Sequence, residues 1–244
     1  VSRSLGGDQV EGRQAVRELL RAGRRRVQEL WMADGMDDSA ILAEIVDLAG
    51  EARVAVRSAS RTRIDAMAQT DAPQGVLAKA APLQETPLAK LCQGRPFLVA
   101  LDGVTDPGNL GAILRSAEVA GATGVILPRH RSVHVTPTVA KAAAGAIEYL
   151  PIAVVAGLPA ALAELAEREI WVVGLDAEGP TSVHDLTVAD QSVALVLGSE
   201  GRGLGRLVRQ RCDVLANIPQ HGKVDSLSVA GAAAVACFAV ARHR

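Results

Sequence analysis

The sequence predicts an α/β protein built on a largely parallel sheet, and three observations predict it. Short runs rich in Val, Leu and Ile alternate along the chain with helical patterns. One of those runs, FLVALDG at 97–103, is apolar without alternation, as a strand buried on both faces is. Of the 244 residues 49% are hydrophobic and only 2% aromatic, so a sizeable core is expected and it must be aliphatic.

Residues 1–80 read as a small α/β domain. EGRQAVRELLRA (11–22) places Val16, Leu19 and Leu20 on one helical face. Arg13, Arg17 and Arg21 follow one another at spacings of four, and Arg24, Arg25 and Arg26 come next. A strand is expected over 27–33, a helix over 39–50 ended by Gly50, and strands over 54–60 and 75–80. Residues 81–95 form a proline-bearing linker with room for one helical turn.

Residues 96–244 read as a second, larger α/β domain. Strands are expected over 97–103, 124–128, 151–155, 170–176, 193–199 and 213–219. Helices are expected over 109–121, within 137–150, and over 158–169 and 203–211, with a last one from near Ser226. Asn109 is the expected N-cap of the first of these and Gly121 its C-cap. The last helix is apolar on nearly all sides and must be buried, in the core or against another subunit.

Composition narrows the function classes. The formal net charge is −1, so any nucleic-acid binding rests on local clusters rather than on a global basic excess. The three cysteines, Cys92, Cys212 and Cys237, form no CxxC pair and predict a reduced, cytoplasmic setting. No signal peptide is visible, and the apolar stretch 228–241 is too short to span a bilayer, so no membrane association is expected.

Three segments carry candidate chemistry. LVLGSEGRGLGRLV (195–208) has the look of a ligand-cradling turn, but it lacks the Gly-Lys-Ser/Thr of a P-loop and comes too late in the chain for a dinucleotide fingerprint. A plain strand-to-helix turn is the competing reading. LDGVTDPGNLGAILRSAE (101–118) leaves a buried strand through a Gly/Pro turn and opens a helix carrying Arg115. Glu118 lies three residues on, where the two side chains can pair. NIPQHGKVDSLSVAGAAAV (217–235) repeats the strand–loop–helix pattern with small residues that permit close chain approach.

Taken in order, PGNLGAILRSAE, LVLGSEGRGL and IPQHGKVDSLSVA closely resemble the three motifs of the SpoU (TrmH-like) RNA 2′-O-ribose methyltransferases of the SPOUT superfamily. The resemblance covers roughly residues 95–244. The N-terminal 80 residues resemble the small RNA-binding domain, similar to a ribosomal protein fold, that precedes the catalytic domain in many members. Length and layout are most similar to the members that methylate a guanosine ribose of 23S ribosomal RNA.

The resemblance implies a parallel sheet with a deep C-terminal trefoil knot, a homodimer, and S-adenosylmethionine as cofactor. It implies that backbone groups of Leu197, Gly198, Ile218 and Leu227 hold that cofactor, with Gly198 and Gly201 permitting close approach. It implies catalytic places for Arg115, Asn109, Glu200 and Ser226. Arg115 matches the arginine proposed to activate the ribose hydroxyl. Its pKa above ~12 makes it a poor base, so stabilising the developing alkoxide or fixing a phosphate is physically easier, and the role stays open. Asn109 would order the site, Glu200 would hold its loop or orient Arg115, and Ser226 opens the third motif.

One position departs from the family pattern. Ser-Leu-Asn-Val-Ser is usual there, and this chain has Ser226-Leu227-Ser228-Val229-Ala230. By the resemblance Ser228 belongs to the cofactor-binding set; serine there replaces an amide that offers two donors and an acceptor, so it is either a neutral change or a cause of weakened activity. The latter keeps a ribosome-assembly protein without catalysis as an alternative, beside a transfer-RNA methyltransferase. The other candidate RNA contacts are Arg13, Arg17, Arg24, Arg25, Arg129 and Arg131, with a solvated surface as the competing reading for each. His130 and His134 stand four apart in a segment that reads as a loop, so no metal is expected.

Overall fold

The computed structural model describes residues 4–130, 135–224 and 226–244. In chain order the first elements are β1 (Ser4–Gly6), β2 (Gln9–Glu11), α1 (Arg13–Ala22), β3 (Val27–Ala33), α2 (Ala40–Glu51), β4 (Val56–Ala59), α3 (Arg61–Met67), β5 (Val76–Ala80) and β6 (Leu83–Gln84). Then come α4 (Leu88–Leu91), β7 (Phe97–Leu101), α5 (Pro107–Val119), β8 (Gly124–Pro128) and α6 (Pro137–Ala142). The remainder are β9 (Ile152–Val155), α7 (Leu158–Glu167), β10 (Trp171–Leu175), β11 (Thr181–Ser182), β12 (Val193–Leu197), α8 (Arg206–Arg209), β13 (Val214–Asn217) and α9 (Val229–Ala241). Two compact units result: among the described residues, one holds 4–84 and 135–149, the other 85–130 and the chain from 150 on.

The first unit has a four-stranded sheet in the order β2-β5-β3-β4, antiparallel except for the β3–β4 pair. Strand alternation sends Leu30, Val76, Ala78 and Val10 to one face, where they pack with Val16, Leu19 and Leu20 of α1 and with Leu42, Ile45 and Ala49 of α2. α3 covers part of the opposite face, its Ile64 buried with Ala33 and Ala59.

Several local expectations shift here. The helix expected over 11–22 begins at Arg13, because Glu11 belongs to a buried strand and Gly12, with φ of 95°, breaks the chain direction. Gly50 lies inside α2, and the left-handed residue that follows the helix is Arg53. α3 escaped the sequence reading: its seven residues are too few to show a period, although Ser60 does cap it by accepting from the amide of Arg63.

Two carboxylates are buried in this unit. Glu11 accepts from Gln9 Nε2 at 2.7 Å, from the Gln69 amide at 2.7 Å, and from the amide and hydroxyl of Thr70. Glu148 receives Nε of Arg25 at 2.9 Å. Glu11 is thus met by donors from three residues and Glu148 by the two-pronged guanidinium of Arg25, as a buried charge requires.

The second unit is a seven-stranded, all-parallel sheet in the order β11-β13-β10-β12-β7-β8-β9. From β7 the chain runs outward through β8 to β9, then returns to build β10, β12 and β13 on the other side. The order therefore reverses between β7 and β12, and in open parallel sheets ligands bind at the carboxyl ends of strands at such a switch point. Leu98, Ala100, Ile126, Ala153, Ala194 and Val196 line one face against α7. On the other side α9 packs along α5 and β12.

Candidate active site at the carboxyl ends of the central strands

The first motif leaves β7 and turns into α5. The N-cap is Asp106, not Asn109: Oδ1 of Asp106 accepts the Asn109 amide at 2.7 Å, and Pro107 occupies the first helical turn. Pro at this position lacks only an N–H that has no helical partner anyway. The Asp-Pro dipeptide carried that signal in the sequence. Freed from capping, the Asn109 side chain reaches out, and its Nδ2 donates to Oε1 of Glu200 at 2.8 Å.

Glu200 rides on the loop after β12. Ser199 and Gly203 exchange backbone hydrogen bonds of 3.1 and 2.9 Å, closing a tight turn. Gly201 and Gly203 are left-handed, with φ of 73° and 63°. A Cβ on Gly198 would lie 2.2 Å from the carbonyl carbon of Gly203, so this glycine is demanded by the loop's own return. Asp102, unmarked in the sequence reading, ties the two motifs further. Its amide donates to the Leu197 carbonyl at 2.7 Å, and its Oδ2 accepts the Gly205 amide at 2.7 Å. A cleft of about 460 Å3 beside this junction is lined by Asp102, Gly103, Pro128, His130, Arg206 and neighbours.

Arg115 stands on α5 six residues past Asn109, about 9 Å along the helix axis. It is exposed and makes no ion pair or side-chain hydrogen bond among the described residues. The expected Arg115–Glu118 pair does not form; an exposed pair of that kind gains only ~0.2–0.5 kcal/mol and must offset the ordering of two long side chains. Glu200 engages Asn109 and makes no hydrogen bond to Arg115.

The third motif follows β13. α9 begins at Val229, three residues later than expected near Ser226, and Ser228 is its N-cap: Oγ accepts the Gly231 amide at 3.1 Å. Ser226 and Leu227 lie in the loop before it, and Leu227 is 47% exposed. Among the described residues from Ile218 to Leu227, no amide or carbonyl pairs with another described backbone group. These neutral donors and acceptors, flanked by Ile218 and Leu227, suit a ligand that is part nucleoside and part amino acid.

The remaining candidates divide. Arg17 lies against Glu18 and Glu44, and Arg21 against the same two carboxylates. Arg13 Nε donates to the Gln74 carbonyl at 3.3 Å, and Arg24 donates to the Tyr149 carbonyl at 2.8 Å. Arg25, expected at an RNA surface, is instead only 6% exposed and donates to Glu148, Gly7 and Ala81. Arg129 lies 3.7 Å from Glu85. Arg131 and His134 fall outside the described residues. Burial pushes the thiols of Cys212 and Cys237 up to about 12, which keeps both protonated and unfit as nucleophiles. Among the described residues no cluster of His, Cys, Asp or Glu is arranged to hold a metal, and no helix is long and apolar enough to cross a membrane.

A parallel α/β sheet whose first two motif loops are joined at its switch point defines a class of enzyme scaffold, and comparison with known proteins names it. Residues 96–238 match the model of the SpoU rRNA Methylase family, and residues 9–86 match the model for RNA 2′-O ribose methyltransferase substrate binding. The chain belongs to the SpoU rRNA methylase family.

It is 40% identical over 243 residues to the 23S rRNA (guanosine-2′-O-)-methyltransferase RlmB of Pseudomonas aeruginosa, covering 97% of each chain. It is 41% identical to the RlmB of Ralstonia nicotianae, covering 96% of this chain and 94% of that one. Among solved structures, the AdoMet-bound rRNA methyltransferase of Sinorhizobium meliloti matches with a TM-score of 0.76 at 26% identity, over 96% of this chain and 87% of that one. The SpoU methyltransferase AviRb of Streptomyces viridochromogenes, in complex with AdoMet, matches with a TM-score of 0.78 at 26% identity, over 96% and 89%.

Proposed function

We propose that this chain transfers a methyl group from S-adenosylmethionine to the 2′-hydroxyl of a guanosine ribose in 23S ribosomal RNA. The observation that carries the reading is the hydrogen bond from Asn109 to Glu200, which joins the first motif to the second at the switch point of the parallel sheet. The relatives named 23S rRNA guanosine methyltransferases support the substrate, and the AdoMet-bound neighbours support the cofactor.

When bound, the cofactor supplies an electrophilic methyl group on a sulfonium. The protein's work is then alignment and charge. The backbone of Leu197, Gly198, Ile218 and Leu227 forms the cofactor cradle, and the Ser199–Gly203 turn fixes its shape. Asn109 and Glu200 brace each other, so the loop does not have to be ordered at the moment of reaction. Arg115, with no ion-pair partner among the described residues, is the cation available to stabilise an alkoxide at the ribose O2′ or to hold the adjacent phosphate. The C-terminal segment is read as threaded in the family's trefoil knot, in keeping with α9 lying against both α5 and β12.

The chain is read as a homodimer. Val119 on α5 is 63% exposed and Phe238 on α9 is 51% exposed, an apolar surface on the two helices flanking the site. Sedimentation of the native chain as a dimer, and of Phe238→Glu as a monomer, is the expected result.

The deciding experiment incubates the chain with labelled S-adenosylmethionine and unmodified 23S rRNA, and maps ribose methylation by primer extension. One guanosine 2′-O-methyl mark is expected. Transfer to tRNA alone would overturn the substrate, and cofactor binding without transfer to any RNA would overturn the activity.

A further inference from the structure

The arginine stripe of α1 is the obvious RNA-binding feature in the sequence, and the fold largely neutralises it. Arg17 and Arg21 face Glu18 and Glu44, and Arg25 is buried. The opposite side of the same unit is different. Trp31, one of only two tryptophans in the chain, stands half-buried on β3. The guanidinium of Arg57 on β4 and that of Arg63 on α3 each lie 5.2 Å from its ring centroid.

The register explains the cluster. Trp31 is paired directly with Arg57, and Glu29, two residues earlier on β3, is paired with Lys79 of β5. Period-two alternation puts all four on one sheet face. Glu29 is the carboxylate there, and it accepts the Trp31 indole N–H at 3.3 Å. It also lies 3.7 Å from Arg57 and 3.6 Å from Lys79. One carboxylate therefore serves two cations. Arg63 has no carboxylate partner among the described residues, and Arg57 and Lys79 keep about half of their side-chain surface exposed, 55% and 49%.

A half-buried indole with two guanidinium groups over its ring, and surplus positive charge around it, is the chemistry that receives unpaired RNA bases. Bases stack on aromatic rings and guanidinium planes, while the cations meet the flanking phosphates. We infer that the Trp31–Arg57–Arg63 face is an RNA contact on which an unpaired base of the substrate stacks. This rests on the RNA methyltransferase reading above.

The test uses the full chain with Trp171→Phe, which leaves Trp31 as the only tryptophan, excited at the red edge where Tyr149 does not absorb. Binding of unmodified 23S rRNA is expected to quench Trp31 and shield it from acrylamide. Trp31→Leu and Arg63→Gln are expected to weaken rRNA affinity about tenfold. They should raise KM for RNA by a similar factor, leaving kcat at saturating RNA and the Kd for S-adenosylmethionine unchanged. Trp31→Phe should restore affinity to within about twofold, since it keeps a ring to stack on. Arg63 is exposed, so Arg63→Gln reads the contact even if Trp31→Leu disturbs the fold.

Unchanged rRNA affinity in both variants, with Trp31 unquenched, overturns the inference and leaves the patch to a protein partner. If the native chain methylates rRNA and the variants do so equally well, the inference alone fails. If rRNA quenches Trp31 but no methyl group is transferred, the methyltransferase reading fails and the contact stands.

Discussion

The side-chain amide of Asn109 donates to Oε1 of Glu200 across 2.8 Å, joining residues 91 positions apart in sequence. The contact exists because Asp106 has taken over the capping of α5, leaving the asparagine amide free. It turns two loops at the ends of neighbouring strands into one braced unit. Asn109→Ala and Glu200→Ala are each expected to lower kcat/KM for rRNA. The double variant should lose less than the sum of the two, with a coupling of about 1 kcal/mol. A double-mutant cycle on methyl transfer measures it, and strict additivity would dissociate the pair from catalysis.

Arg115 is predicted to act in the transition state rather than in binding. Arg115→Ala should reduce kcat by ~100-fold or more, the scale of losing one charge-stabilising donor, while the Kd for S-adenosylmethionine stays constant. Arg115→Lys should recover part of the rate, because it keeps the charge but loses the fork of N–H groups. A loss confined to RNA affinity would instead make Arg115 a phosphate anchor.

Ser228 resolves into a helix cap. Serine and asparagine rank equally at an N-cap, which gives the departure from the family pattern a physical reason to be tolerated. Ser228→Asn is expected to change stability by only a few tenths of a kcal/mol and to keep activity. Ser228→Ala should cost ~1 kcal/mol, lowering Tm by about 2–4 °C in a chain of this size. Thermal unfolding of the three proteins decides it.

Gly198 and Gly201 should respond differently to alanine. At Gly198 the added methyl would meet backbone at 2.2 Å, which no rotamer relieves, and loss of the loop's shape and of cofactor binding is expected. At Gly201 the added atom meets nothing within 4 Å, so only the φ of 73° resists it, at ~1–2 kcal/mol. Titration of each variant with S-adenosylmethionine separates the two cases.

Asp176 gives the acid limb of stability a defined contributor. Burial pushes its carboxyl up, but the Glu178 amide at 2.9 Å and the Arg209 guanidinium at 2.6 Å outweigh this, so it sits below the usual range. A depressed folded pKa contributes stability above the unfolded value of about 3.9 and loses it as pH falls through the folded value. Asp176→Asn should therefore be less stable than the native chain at pH 7, the gap closing below pH ~4. A gap of the same size at pH 3 and pH 7 would rule this out.

The sequence by itself determined the alternation of strands and helices, the aliphatic core, and the membership of three motifs in one family. These are local facts: periodicity, glycine-bearing turns and short spacings survive in a linear reading. It also marked Asn109, Arg115 and Glu200 as candidates without saying which would touch. Tertiary structure decided that. Asp106 competes with Asn109 for the cap, and only the fold shows that the carboxylate wins and sends the amide to Glu200.

The arginines show the same division. Arg17, Arg25 and Arg63 look alike in sequence, yet one is ion-paired on a surface, one is buried against Glu148, and one lies over Trp31. Charge is written in the sequence, but its availability depends on which carboxylates and rings the sheet register brings within a few ångströms, and register is a property of strands that meet only after folding.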